Sequence, residues 1–275
     1  MPSLTCLTLA ALGGLAILPG AAASKQTLLK TDDYVCEHPP YKPRIVSKSP
    51  LVIYLENFIT PSERAYLLDL GKSTFTPSGI TNRRGNANTD TTSIRTSHST
   101  NLPPTDPVVS CIESRALRFQ GLPTTTAARS RLEPLQLVKY EPTQHFHFHT
   151  DWFTSPSDAA PEAGGNRATS FFAYVHVEKG TTGGGTNFPR LTLEADEEEE
   201  WCEEGLVDCD AEREEGVTFR PVEGNAVFWV NLDQQGRGDE RTLHAGLPVV
   251  TGGKVGMNIW TREGDVGEEI RGGVV

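Results

Sequence analysis

The apolar positions of this chain fall into short runs, and most runs are separated by turn-forming residues. A first apolar run at residues 51–55 predicts a strand. Thr60 and Glu63 follow it with the spacing of a capping box, which predicts a helix that continues to about Gly71. A second helix is predicted after residues 105–107 (TDP), because apolar side chains then recur at helical spacing.

From residue 135 onward the pattern changes to short β segments. Apolar or alternating runs recur there with Gly-rich and Pro-rich turns between them, at 135–140, 144–152, 170–177, 226–231 and 255–260. Several short strands with this punctuation indicate a sandwich or a barrel. Two early helices followed by strands predict a mainly β (α+β) fold with helices packed outside a β core.

Charge is concentrated in one segment of the 275-residue chain. The formal net charge is −11, but residues 194–215 alone hold 13 acidic residues and one basic residue. The rest of the chain is therefore nearly neutral, and no basic face suggests a nucleic-acid partner. We interpret the acidic segment as a solvated surface loop inserted in the domain. The alternative is a segment that binds a partner or collects metal ions.

The N-terminus has the pattern of a targeting segment. Residues 1–24 carry no charged side chain, and small residues at 21–23 follow the apolar run at 4–18. This predicts a signal peptide at 1–23, then an extended lead-in at 24–48, and hence the endoplasmic reticulum lumen or secretion. The alternative, an uncleaved anchor, would need a span of about 20 apolar residues. No other stretch predicts a membrane span.

Removal of the signal peptide would leave four cysteines. An even number in an oxidising compartment predicts disulfides, for which three connectivities are possible. Cys202 and Cys209 lie close together in the acidic segment, so we expect them to pair, and Cys36 would then pair with Cys111. The alternative for Cys111 is a buried free thiol on a helix.

Residues 144–152 (QHFHFHTDW) alternate with a period of two. On a strand, one face would carry His145, His147, His149 and Asp151, and the other face Phe146 and Phe148. A histidine and a carboxylate two residues apart can reach one metal ion. The pattern alone leaves the identity of the histidine ligand open, and solvated histidines on a polar face are the alternative.

A second histidine makes a metal site the better interpretation. His244 lies 93 residues after Asp151, and Lys254 follows ten residues later. Two histidines and one carboxylate can hold Fe(II) on one face and leave positions for a 2-oxo acid and O2. Lys254 would pair with the far carboxylate of 2-oxoglutarate, since buried lysines are rare unless they are paired.

The order and content of these motifs resemble the catalytic domain of prolyl 4-hydroxylases over residues 50–263. The resemblance is carried by residues 95–97 (RTS), 135–142 (LQLVKYEP), 149–152 (HTDW), 167–174 (RATSFFAY), 183–189 (GGGTNFP), 224–229 (GNAVFW) and 242–249 (TLHAGLPV). It implies a double-stranded β-helix (jelly-roll) domain at 49–265, followed by a C-terminal tail at 266–275. It also implies Fe(II), 2-oxoglutarate, O2 and L-ascorbate as cofactors and cosubstrates.

The resemblance assigns roles to individual residues. It implies metal ligands at His149, Asp151 and His244, a cosubstrate pocket of Lys254, Tyr140 and Thr186, substrate-side residues Arg167 and Trp260, and a substrate loop with Arg95. The sequence departs from the family pattern at Thr143, Phe146 and Gly185, where glycine, tyrosine and an acidic residue are usual. These departures leave the ligand positions intact and put the substrate in doubt.

The function predicted from the sequence is a 2-oxoglutarate-dependent dioxygenase that hydroxylates prolyl residues in peptides or proteins. One alternative keeps this chemistry on a small molecule or a natural-product peptide. A silent β-barrel binding module would have no reason to keep a buried lysine. A zinc hydrolase would not need Lys254 and would show a spacing such as H-E-x-x-H.

Overall fold

The structure is a computed structural model, and it describes Leu29 and residues 34–79, 94–209 and 215–272. The predicted signal peptide at 1–23 lies outside these described residues. The strands are β1 (Lys42–Lys48), β2 (Leu51–Glu56), β3 (Thr76–Pro77), β4 (His98–Asn101), β5 (Gln136–Tyr140), β6 (Phe146–His149), β7 (Arg167–Val177), β8 (Thr182–Gly183), β9 (Thr186–Phe188), β10 (Val217–Phe219), β11 (Ala226–Val230), β12 (His244–Gly246), β13 (Val249–Thr251) and β14 (Lys254–Arg262). The helices are α1 (Pro61–Gly71), α2 (Pro107–Phe119), α3 (Thr126–Arg129), α4 (Ala195–Glu203) and α5 (Glu268–Arg271).

Two antiparallel sheets form the body of the domain. The large sheet has eight strands in the order β1-β2-β11-β7-β14-β5-β4-β3, and the small sheet has four in the order β10-β9-β12-β6. Strands β13 and β8 form a separate two-stranded sheet. This is the predicted jelly-roll, a double-stranded β-helix whose two sheets face each other without closing into a barrel.

The large sheet is buried on both faces because its central strands are apolar at nearly every position. On β7, Phe171 and Ala173 belong to a core that also contains side chains of α1 and α2. Phe172 and Tyr174, which alternate with them, belong to a second core between the two sheets. Successive side chains of a strand point to opposite faces, so this one strand contributes to both cores.

The two predicted helices are confirmed, with the caps that the sequence indicated. Thr60 and Glu63 form both hydrogen bonds of the capping box at the start of α1. Asp106 caps α2 by accepting from the backbone amides of Val108 and Val109. A buried ion pair between Arg115 and Glu63, at 2.6 Å, then ties α2 to α1 on the outer face of the large sheet.

Three segments differ from the pattern-based expectation. The strand predicted over 144–152 is shorter, since β6 covers only Phe146–His149. The end of the lead-in at 24–48 forms β1, which pairs with β2 at the edge of the large sheet. The tail at 266–275 contains the helix α5.

The expectation of a solvated loop over residues 194–215 is wrong for much of its described part. This segment forms α4, and Trp201 on that helix is only 4% exposed. The Trp201 ring packs edge-on against Tyr54, while the Arg44 guanidinium lies 4.0 Å from its centroid. Leu206 and Val207 are buried beside it. A few apolar residues are therefore enough to dock an otherwise acidic segment on the sheet.

Both expected disulfides are present. Cys202 pairs with Cys209, and Cys36 pairs with Cys111, where the Cα atoms are 5.4 Å apart. The Cys36–Cys111 bond fastens the segment before β1 to α2, and it excludes the alternative of a free thiol at Cys111. A search of the described residues found no helix of the length and hydropathy that crossing a membrane requires.

Candidate metal and cosubstrate site

Two histidines and an aspartate meet at one end of the space between the sheets. His149 ends β6 and stands directly opposite His244, the first residue of the neighbouring strand β12. Asp151 follows β6 by two residues, and its Oδ1 atom lies 3.7 Å from His149 Nε2 and 3.9 Å from His244 Nε2. One ligand atom from each residue lies within 4.8 Å of the other two, as one metal ion requires.

Backbone carbonyls fix the orientation of both imidazoles. His149 Nδ1 lies 2.8 Å from the carbonyl oxygen of His147, and His244 Nδ1 lies 2.9 Å from that of Thr242. A carbonyl oxygen can only accept, so each Nδ1 must carry the proton and donate it. The lone pair of each neutral ring is then on Nε2, which is the atom that faces Asp151.

The Asp151 carboxylate uses its two oxygens differently. Its Oδ2 atom accepts hydrogen bonds from Ser170 Oγ at 2.6 Å and from Trp260 Nε1 at 2.9 Å. Its Oδ1 atom remains directed toward the two imidazoles. The donor set is therefore two imidazole nitrogens and one carboxylate oxygen, which suits Fe(II) with coordination positions left for other ligands.

Electrostatics favours the protonation states that metal binding needs. Burial, together with the electrostatic effect of the neighbouring His244, lowers the pKa of His149 to about 3. Burial raises the pKa of Asp151, but His244, His149 and Arg167 outweigh this effect and bring it to about 2. Near neutral pH, His149 is thus neutral and Asp151 ionised, so neither must lose a proton before it binds a metal ion.

The face assignment along residues 144–152 is wrong for Phe146. His244 pairs with His149, but Gly246 pairs with Phe146, so three steps on β6 match two on β12. Such a bulge interrupts the alternation of side chains and brings Phe146 to the same side as His149. The two rings stack with centroids 3.6 Å apart, whereas His147 is exposed.

Lys254 is buried at the start of β14, deeper between the sheets. Its side chain is 1% exposed, and Nζ donates to the carbonyl oxygen of Gly184. Nζ also lies 4.8 Å from the ring centroid of Tyr140 and 5.3 Å from that of Phe172. In the described part of the chain no carboxylate pairs with it, and burial lowers its pKa to about 7. The site therefore offers a cation that lacks an anion.

The family resemblance assigns Tyr140 and Thr186 to the cosubstrate pocket. Both border a small cavity together with all three candidate metal ligands. Burial raises the pKa of Tyr140, which keeps its hydroxyl protonated and able to donate. Thr186 Oγ1 is 2.8 Å from the Tyr174 hydroxyl, which donates to it. The Thr186 hydroxyl proton is consequently free to point elsewhere.

Arg167, Trp260 and Arg95 border a groove at the mouth of this cavity. Arg167 donates to both carboxylate oxygens of Glu133, at 2.8 and 2.7 Å, and its guanidinium lies 3.8 Å from the Trp260 ring centroid. Arg95 lies 4.6 Å above the Phe146 ring and is only 8% exposed. Arg95 is thus part of the wall, while residues 80–93, which precede it in the sequence, lie outside the described residues.

Sequence patterns did not single out three residues of the site. Ser170 orients Asp151, and Glu133 holds Arg167. Trp229 packs its ring 4.7 Å from that of His244, and its buried Nε1 has no hydrogen-bond partner. Ser170 and Trp229 lie in the stretches 167–174 and 224–229 that carry the family resemblance, but no role was assigned to either of them. Glu133 carried no signal, because an isolated glutamate has no pattern of its own.

The chain is similar to known oxygenases. The profile of the 2OG-Fe(II) oxygenase superfamily matches residues 135–262. Prolyl 4-hydroxylase 2 of Arabidopsis thaliana is 30% identical over 222 residues, or 80% of this chain and 70% of the relative. Prolyl 4-hydroxylase 1 of the same plant is 27% identical over 225 residues, or 81% and 72% of the two chains.

A solved structure shows the same fold. The collagen prolyl hydroxylase of Paramecium bursaria Chlorella virus 1, in complex with 2-oxoglutarate, superimposes with a TM-score of 0.52. It is 22% identical, and the match covers 77% of this chain and 95% of that one. The donor set described above also suits the metal of this superfamily. The chain is therefore a 2-oxoglutarate-dependent dioxygenase that uses Fe(II), and it belongs to the prolyl 4-hydroxylase-like group of the 2OG-Fe(II) oxygenase superfamily.

Proposed function

We propose that this chain hydroxylates prolyl residues in peptides or proteins while it converts 2-oxoglutarate to succinate and CO2. The observation that carries the proposal is the joint presence of three ligand atoms that lie within 4.8 Å of one another and a buried lysine that pairs with no carboxylate of the described residues. The relatives named as prolyl 4-hydroxylases support the choice of a prolyl substrate.

We assign the metal to His149, Asp151 and His244. The two Nε2 atoms and Oδ1 would bind Fe(II), which with 2-oxoglutarate and O2 supplies the oxidation of an unactivated C–H bond. Ser170 and Trp260 donate to Oδ2, so the carboxylate would bind the metal through Oδ1. The protein thereby leaves room at the metal for the cosubstrates.

We assign the far carboxylate of 2-oxoglutarate to Lys254, with the Tyr140 hydroxyl as a second donor and Thr186 as a third. The Lys254 side chain is already buried, so a carboxylate that binds it does not have to remove it from water. A carboxylate that enters this pocket meets a charge-assisted donor in a low-dielectric environment, where such an interaction is strong.

The groove at the mouth would hold the substrate. Arg167 is fixed by Glu133 and stacked on Trp260, which gives a rigid wall of planar groups beside the metal ligands. Arg95 forms the opposite part of this wall over Phe146. A peptide can lie across such a groove with its proline side chain directed at the metal.

We further propose that the protein enters the secretory pathway and that L-ascorbate supports its turnover. The apolar segment at 1–23 supports the first point, as do the two disulfides, which form in oxidising compartments. Ascorbate follows from the family chemistry alone. Retention in the endoplasmic reticulum lumen and secretion are both consistent with these features.

The test is an assay of succinate release with a panel of substrates under O2. The panel contains proline-containing peptides, free proline, and the same peptides with proline replaced by alanine. We expect succinate release to rise only with proline-containing peptides. Release that rises with free proline and not with peptides would favour the small-molecule alternative.

A further inference from the structure

The groove at the metal site extends to the C-terminal helix α5. Its inner part is bordered by Asp151 and Trp260, and its outer part by Asn101, Pro134 and Ile270. These three outer residues also border a second groove, which continues along residues 102–105 and the other side of α5. A continuous track therefore leads from the candidate metal ligands past Ile270 to the outer surface.

Two exposed apolar side chains border this track. Five large apolar side chains are prominently exposed in the described part of the chain, and two of them, Ile94 at 42% and Ile270 at 39%, border the inner groove. Exposed apolar groups beside a cleft with convergent polar groups are typical of a ligand-contacting surface. The other three, Val35, Ile45 and Val250, do not border it.

Buried contacts hold α5 in place. Arg271 donates to both carboxylate oxygens of Glu113, at 2.9 and 2.7 Å, and to the carbonyl oxygen of Leu132 at 2.7 Å. Glu113 lies on α2 and is fully buried, and Val266 just before α5 is 5% exposed. A helix of four residues has no stability of its own, so these anchors decide where Ile270 is presented.

We propose that α5 is one wall of the substrate groove, and that Ile270 contacts an apolar side chain of an extended peptide some residues away from the target proline. The inference rests on the proposed function, since it takes the occupant of the groove to be the peptide substrate. The occupant follows from the continuity of the track with the metal site.

The test compares a long proline peptide that carries leucine at successive flanking positions, the same peptide with serine there, and a three-residue proline peptide. Removal of the isoleucine side chain in Ile270→Ala should raise KM for the best leucine peptide by about fivefold or more. KM for the short peptide and decarboxylation of 2-oxoglutarate without peptide should not change. Ile45→Ala is the matched control and should leave every value unchanged, because Ile45 is an exposed isoleucine on β1 that does not border the groove.

A variant with a charge at position 270 makes the test more specific. Ile270→Glu should lower the preference for leucine and favour lysine at the same peptide position. If Ile270→Ala also slows peptide-free decarboxylation, α5 acts on the metal site and the proposal is wrong. If wild type prefers neither leucine nor the long peptide, the subsite is contradicted while the proposed function stands. If wild type hydroxylates no peptide, both are wrong.

Discussion

The second oxygen of Asp151 decides how its carboxylate can bind a metal. Ser170 and Trp260 both donate to Oδ2, so this atom is less available to a metal ion than Oδ1. Binding through Oδ1 alone occupies one coordination position instead of two. An oxygenase must also bind 2-oxoglutarate and O2 at the metal ion, so it needs this additional coordination position.

We expect Ser170→Ala and Trp260→Phe each to weaken Fe(II) binding by about tenfold or more, as is typical when a hydrogen bond to a ligand is removed. Anoxic titration with Fe(II), followed by metal analysis, measures the effect. Ser114→Ala is the control, since Ser114 Oγ donates only to a carbonyl oxygen on α2. Unchanged affinity in both site variants would show that Oδ2 does not need these partners.

The three proposed ligands can be tested against their neighbour on the same strand. His149→Ala, Asp151→Ala and His244→Ala should each lose stoichiometric Fe(II) and all succinate release. His147→Ala should keep both, because its side chain is exposed and only its carbonyl oxygen contacts His149. Metal content and succinate release are the two readouts. Equal losses in His147→Ala and His149→Ala would overturn the ligand assignment.

Because of Lys254, the number of protons taken up when 2-oxoglutarate binds should depend on pH. Its pKa is lowered to about 7 by burial, so at pH 8 the free site holds mostly neutral lysine. A bound carboxylate favours the ammonium, so binding should take up nearly one proton at pH 8 and almost none at pH 6. Anoxic calorimetry of the metal-loaded protein in buffers of different ionisation enthalpy measures this uptake.

Lys254 should also determine the affinity for 2-oxoglutarate. Lys254→Met should abolish the proton uptake and weaken 2-oxoglutarate binding by roughly 10- to 150-fold, the loss of one charge-assisted hydrogen bond. Its Fe(II) affinity should stay near that of wild type, because Lys254 does not contact the ligands. Proton uptake that persists in Lys254→Met would mean that another group titrates.

Features of helices and strands that depend on neighbouring residues were easier to predict than features that depend on residues far apart in the sequence. The caps of α1 and α2 were predictable because a cap depends on residues within one turn. The bulge on β6 was not, because it arises from how β6 pairs with β12, almost a hundred residues later. The three proposed ligands could still be named from the sequence, since two of them lie two residues apart and the third lies in the stretch 242–249 that resembles the family.

The acidic segment shows where reasoning from charge fails. Its net charge suggested a solvated loop, yet Trp201 fits between Tyr54 and Arg44 and contributes to the core between the sheets. The high charge of such a helix reflects only its exposed side. One large apolar residue on the other side can be enough to bury that side. Removal of the whole segment would therefore cost stability as well as charge.

We expect Trp201→Ala to lower the free energy of unfolding by about 3 kcal/mol or more, as for other buried aromatic residues. Glu199→Ala on the exposed side of α4 should change it by less than about 0.5 kcal/mol. Urea unfolding followed by circular dichroism compares the two variants with wild type. A loss in Trp201→Ala as small as that in Glu199→Ala would restore the solvated-loop interpretation.

In the whole molecule, one face of the large sheet packs against helices and the other face carries the candidate site. Helices α1 and α2 cover the outer face of the large sheet, and this core is almost entirely apolar. The inner face carries the site, because Lys254 and Trp260 lie six residues apart on β14 and point to the same side. Cosubstrate pocket and groove are therefore aligned along one strand, with the proposed metal ligands beside them.

The central claim is that oxidation of 2-oxoglutarate is coupled to hydroxylation of a prolyl residue. Its most direct test is the molar ratio of succinate to hydroxylated peptide, with the added oxygen located by tandem mass spectrometry. The ratio should be close to one in wild type, with the oxygen on a proline ring, and Asp151→Ala should form neither product. Succinate formed without any oxygen on proline, across peptides that bind the protein, would contradict it.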